Sequence, residues 1–207
     1  MLSGRKLPRS FYARSVLAVA PDCIGKILVR RTSEGVTAGR VVECEAYRGP
    51  ADRAAHSFRG RTKRTEAMFG PPGHAYVFLL YGTSWAFNIV VAREGEPHAV
   101  LIRALEPVEG LALMSRRRNV PETALLLTNG PGKLCQALGI SGADYARDLC
   151  GDDLYLVDGE RGKIARGARI NIDYAGAWVA RPWRYVERGN RYVSVPPRFA
   201  DPRKDAR

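Results

Sequence analysis

Three short apolar runs, residues 75–81, 85–91 and 99–105, follow one another with only glycine- or proline-containing breaks between them, and no other feature constrains the fold as tightly. Such runs, closed by turn residues, are the pattern of adjacent strands buried on at least one face. A largely antiparallel sheet is their simplest assembly. Residues 35–47 are also β-prone and end at Gly49-Pro50, which predicts a strand that carries Glu43, Glu45 and Tyr47 toward its end. More β-prone segments follow Leu154.

Helical signals are fewer. Ser10 is a candidate N-cap, with Phe11, Val16, Leu17 and Ala20 at helical spacing until Pro21 interrupts, and a short strand is expected over 24–29. Residues 107–118 have a proline at the start, Leu111 and Met114 three apart and three arginines at the end, which suits a helix with a favourable dipole. Another helix is expected over 132–138. The fold class is therefore α+β: one domain spanning 1–207, a curved, mostly antiparallel sheet with peripheral helices, and a flexible tail over 196–207. A chain of 207 residues is long enough to bury one sizeable core.

Charge narrows the partner. Lys and Arg number 33 against 21 Asp and Glu, a net charge of +12, which favours a polyanion. Residues 53–64 carry five positive side chains in a glycine-punctuated loop, a candidate DNA-facing surface, and residues 161–207 hold twelve Lys or Arg against four acids. No run of about 20 apolar residues could span a bilayer, and the first residues lack the apolar stretch of a secretory signal, so a soluble cytoplasmic protein without membrane contact is expected. Cys23, Cys44, Cys135 and Cys150 are widely separated, as are His56, His74 and His98. Free thiols and no metal site are the expectation.

Alternate side chains of a strand share a face, so Glu43, Glu45 and Tyr47 would point together, with neighbouring carboxyls about 6.5–7 Å apart. Paired acids suit general acid or base chemistry, although acids on a strand are more often simply solvated. Eleven residues beyond Glu45 stands His56, and Tyr76, Phe78, Tyr81, Trp85 and Phe87 follow within the aliphatic sheet. Those rings suit a base-binding slot or ordinary core packing.

Four separated blocks sharpen the reading: VVECEAYRGPADRAAHS, MFGPPGHAYVFLLYGTSWAFNIVV, VLIRALEP and NGPGKLCQALGI, with WVARPWRYVERGNRYVSV further along the chain. In this order they resemble the alkyladenine (3-methyladenine) DNA glycosylase family over residues 10–195. The resemblance implies excision of damaged purines from double-stranded DNA without a cofactor. It implies that Glu45 is the general base that activates water, with Arg103 positioning water and glutamate. It further implies that Tyr47 and Phe78 are the aromatic walls for a flipped base, and that His56 hydrogen-bonds near the target nucleotide. Asn88 then lies at the pocket floor and disfavours guanine, Tyr81 intercalates in the duplex, and Lys133 approaches the DNA backbone. Phe78 departs from the tyrosine often found there, which removes a hydroxyl and leaves substrate range open. No lysine accompanies the acid in these blocks, so hydrolysis to an abasic site is expected.

Two other readings compete. A non-catalytic nucleic-acid-binding module would use the same charge and rings, but has no use for an acid in a basic groove. A carbohydrate hydrolase pairing Glu43 with Glu45 would explain neither the net charge nor Tyr81.

Overall fold

The computed structural model describes residues 4–195. The expected flexible tail over 196–207 lies outside the described residues. Strands β1 (Ile27–Thr32), β2 (Gly35–Tyr47), β3 (Ala75–Leu80), β4 (Ser84–Val91), β5 (His98–Glu109), β6 (Leu154–Val157), β7 (Ile164–Gly167) and β8 (Arg184–Glu187) form one antiparallel sheet. Among the described residues four α-helices pack around it: α1 (Arg9–Tyr12), α2 (Val16–Cys23), α3 (Leu111–Arg118) and α4 (Pro131–Leu138). The result is a single α+β domain whose sheet curls into a half-barrel.

β2 is the spine. One edge pairs with β5 from Ala38 to Tyr47, while the other is shared between β1 in its first half and β8 at Glu43–Glu45. A strand gripped by three partners bends between them, and the register with β5 shows how. Val41 pairs with Leu105, Glu43 with Ala104 and Cys44 with Ile102, so Val42 on one strand and Arg103 on the other are each passed over. Bulges of this kind kink a strand and re-aim side chains. Here they bring Arg103 onto the acids of the partner strand.

The apolar face of the sheet packs on α2 and α4. Val41, Cys44, Ala46, Phe87, Ile89, Val100 and Ile102 meet Val16, Val19, Ala20, Leu134 and Leu138 in one buried cluster. Phe87 is thus core packing, and Trp85 packs against the edge of the same cluster. The cysteines at 23, 44, 135 and 150 are free thiols.

Several local expectations need correction. Ser10 is not an N-cap; it lies inside the single-turn α1, which starts at Arg9. Pro21 does not interrupt α2, which continues two residues past it to Cys23. The first strand begins at Ile27 rather than 24. The expected helix over 107–118 starts only at Leu111: β5 runs on through Pro107 to Glu109, Pro107 falling beside one of the register shifts with β2, where a missing N–H costs least.

Candidate active site

The end of β2 lies beneath a cleft of about 580 Å³. Tyr47, His56, Phe78, Tyr81, Asn88, Arg103 and Lys133, far apart in the sequence, all line it. Glu45 does not. It is 0% exposed and sits under the floor, held by three donors that themselves belong to the cleft wall. The Tyr47 hydroxyl donates to Oε2 at 2.8 Å, Arg103 Nη1 approaches the same oxygen at 3.4 Å, and the backbone N–H of Ile170 donates to Oε1 at 2.8 Å.

Glu43, two residues earlier, has a different environment. Its Oε1 accepts from Arg103 Nε at 3.0 Å, Arg184 Nε at 2.8 Å and the Ser194 hydroxyl at 3.0 Å, and its Oε2 accepts from the Ser194 backbone N–H at 2.7 Å. Also fully buried and away from the cleft lining, it is a structural anchor for Arg103. Neither acid lines the cleft, but every donor to Glu45 does, whereas Arg184 and Ser194, which hold Glu43, lie outside the lining. A pair of acids flanking a sugar would need both addressed from the cleft, so the carbohydrate-hydrolase reading loses its second carboxylate.

Burial and the neighbouring carboxylate push the Tyr47 hydroxyl well above the usual tyrosine range, which keeps it a donor. Burial opposes the charge of Arg103, and the carboxylates of Glu45 and Glu43 more than offset it, leaving the guanidinium more firmly protonated than usual. His56, desolvated and beside Arg64, falls from 6.5 to about 4 and is neutral at physiological pH. Its Nδ1 lies 2.9 Å from the Tyr76 hydroxyl, and its ring packs edge-on against Phe78 at 4.5 Å. Tyr76, Phe78 and His56 therefore form one aromatic wall, with the Arg64 guanidinium 5.1 Å from the Phe78 ring. Asn88 is fixed by an Nδ2 bond to the carbonyl of Tyr76 at 3.0 Å, which denies its amide the freedom to swing aside.

Tyr81 stands apart from the core. It occupies the tip of the β3–β4 hairpin, 77% exposed, and both Tyr81 and Gly82 take left-handed backbone conformations. Such a conformation is routine for Gly82 and costly for Tyr81, the kind of strain that functional tips retain. The reading of Tyr81 as a core ring is excluded. Lys133, at the start of α4, donates to Asn129 Oδ1 at 2.9 Å; burial and the nearby Arg118 lower its ammonium.

The loop between β7 and β8 contains what sequence reasoning missed. Arg169, fully buried, forms a fork on Asp52 at 2.5 and 2.9 Å and donates to the Ala46 carbonyl at 2.9 Å. Its guanidinium lies 4.7 Å from the Tyr47 ring and 5.2 Å from that of Trp183. Ile170, Asn171, Ile172 and Tyr174 then supply the cleft wall beyond it. A buried arginine in a basic segment looks like any surface arginine in one sequence, so only Asp52, in the block that ends at Ser57, offered a signal. Among the described residues no group of three or more His, Cys, Asp or Glu is gathered as a metal site would need. No described helix is long and apolar enough to cross a membrane.

A curled antiparallel sheet with an aromatic, arginine-lined cleft over a buried carboxylate defines an enzyme class when set beside known proteins: the DNA glycosylases of repair. The family model for methylpurine-DNA glycosylase matches residues 10–191. A protein of Anaeromyxobacter dehalogenans is 48% identical over 195 residues, covering 93% of this chain and 87% of its own. One of Clostridium acetobutylicum is 45% identical over 200 residues, 92% and 98% of the two chains, and one of Bacillus cereus is 48% identical over 200 residues, 90% and 98%. All three are named, provisionally, as 3-methyladenine DNA glycosylases. The chain belongs to the methylpurine-DNA glycosylase family.

Proposed function

We propose that the protein extrudes alkylated or deaminated purines from duplex DNA and hydrolyses the N-glycosidic bond with a water activated by Glu45, leaving an abasic site. The observation that carries this reading is the set of donors on Glu45: all three belong to the wall of a cleft large enough for a purine nucleotide. A carboxylate serving only as structural ballast has no reason to be aimed from beneath a slot of aromatic rings.

In this mechanism the extruded base stacks on Tyr47 and Phe78, and those contacts offset the few kcal/mol of unstacking. Tyr81 fills the vacated place in the duplex. Glu45 accepts a proton as the water oxygen bonds to the sugar carbon, while the N-glycosidic electron pair leaves with the base. A cationic alkylated purine departs neutral, a deaminated one departs as an anion that takes a proton from solvent, and Glu45 returns its proton to solvent. Arg103, tied to Glu43, keeps the carboxylate in place. His56, being neutral, hydrogen-bonds without adding charge. Lys133 meets the DNA backbone, where a glycine-rich turn opens α4. The protein acts as a monomer in the cytoplasm, on the nucleoid.

The test uses oligonucleotide duplexes each carrying one lesion: 3-methyladenine, 7-methylguanine, hypoxanthine or ethenoadenine. Alkali cleaves abasic product, so strand breaks that appear only after alkali support simple excision. Breaks without alkali, together with borohydride trapping of the protein on DNA, would instead indicate an amine nucleophile and Schiff-base chemistry. No break on any lesion would overturn the reading.

A further inference from the structure

We propose that Arg169 and Asp52 are a positioning pair that aims the Glu45 carboxylate at the bound nucleotide; the inference rests on Glu45 being the base. The two residues lie 117 positions apart, on the segment after β2 and on the loop before β8, and each is fully buried. Asp52 is itself held by the backbone N–H groups of Arg48 at 3.1 Å and Ala54 at 3.0 Å, which fixes the chain that leads from Tyr47 to His56. From this anchor Arg169 reaches the Ala46 carbonyl and lies against the Tyr47 ring. Its chain neighbour Ile170 delivers an N–H to Glu45 Oε1, while Tyr47 delivers its hydroxyl to Oε2. One guanidinium thus supports two of the three groups that hold the carboxylate, one on each oxygen.

A role in stability alone is a poor explanation of this arrangement. Desolvating two charges consumes most of what their attraction returns, and apolar side chains of similar volume would serve a fold as well. What apolar packing cannot supply is direction. A planar fork on Asp52, a third bond to a carbonyl and contact with two rings leave Arg169 one orientation. That orientation passes to Ile170 through a single peptide unit.

The decisive protein is the double variant Arg169→Gln/Asp52→Asn, in which neither partner is left charged and buried, compared with Arg169→Lys, which keeps the cation but loses the fork. Each is mixed in excess with a duplex carrying a lesion that the parent excises, and saturated rate and affinity are measured separately. Affinity, carried largely by phosphate contacts, is expected to stay close to the parent's. The saturated rate is expected to fall roughly 100-fold in the double variant, the loss that about 1 Å of misplacement brings. Arg169→Lys is expected to recover part of it. A folded double variant with the parent's saturated rate would overturn the proposal, as would weakened affinity at an unchanged rate. If the double variant does not fold, Arg169→Lys decides alone: a lower rate at parental affinity supports the pair, and the parental rate overturns it. A parent that excises no lesion would instead remove the premise about Glu45.

Discussion

Ile170 donates its backbone N–H to Oε1 of Glu45 at 2.8 Å across 125 residues of sequence. The bond makes the loop between β7 and β8 part of the site, because the residues after Ile170 continue directly into the cleft wall. With Arg103 reaching in from β5 and Tyr47 from β2, three parts of the chain converge on one carboxylate. Catalytic competence should therefore track the tertiary fold more closely than any single element.

Tyr81→Ala is expected to leave thermal stability near the parental value, since an exposed ring at a hairpin tip leaves no cavity behind. Truncating a core ring would cost about 3–5 kcal/mol. Excision should slow, and slow more in a stable duplex than where the lesion is mismatched and already easy to extrude. Thermal unfolding without DNA and excision from the two duplexes check this. A large fall in melting temperature, or equal loss in both duplexes, would return Tyr81 to a structural role.

His56 gives the protein a pH-dependent stability. An unfolded imidazole titrates near 6.5, the folded one near 4 because burial and Arg64 oppose its charge. Above 6.5 both states are neutral and the stability is fully present. Between 6.5 and 4 the unfolded chain takes up a proton that the fold refuses, so stability declines as pH falls through that window, by at most about 3 kcal/mol. His56→Gln should show a shallower decline from pH 7.5 to 4.5 in urea unfolding. Equal slopes would place the titration elsewhere.

Glu43→Ala is expected to destabilise the protein by about 3–5 kcal/mol, because Arg103 and Arg184 lose the buried carboxylate that both contact. Chemical denaturation measures it. A loss under about 1 kcal/mol would show that the two arginines find other partners.

Affinity for lesion duplex should fall steeply between about 50 and about 200 mM salt, as counterions released on binding are recaptured. The source is the net charge of +12, concentrated in the loop over 53–64 and after residue 161. A flat response in a fluorescence-anisotropy titration would argue against a phosphate-tracking surface.

Much of this was legible in the sequence, for identifiable reasons. β2 was readable to its last residue because glycine opens it and Gly49-Pro50 closes it. Tyr47, His56, Phe78, Tyr81, Asn88, Arg103 and Lys133 were singled out from their blocks and line the cleft, with Glu45 below them, whereas the wall from Ile170 to Tyr174 was not singled out. Arg169 was not, because its significance lies in Asp52, Tyr47 and Trp183, which no local pattern connects to it. Pro107 misled for the opposite reason: a local helix-start signal was overridden by the pairing of β5 along β2. The bulge that aims Arg103 at two acids is likewise a property of paired strands and invisible in either alone.

The most direct measurement is single-turnover excision by Glu45→Gln beside its affinity for the same lesion duplex. The amide keeps the shape and can still accept from Tyr47 or Ile170, but it cannot take a proton from water. The account predicts binding close to the parent's with excision reduced by at least about 100-fold, the lower range of what a positioned base contributes. Excision near the parental rate by a folded Glu45→Gln protein would contradict it.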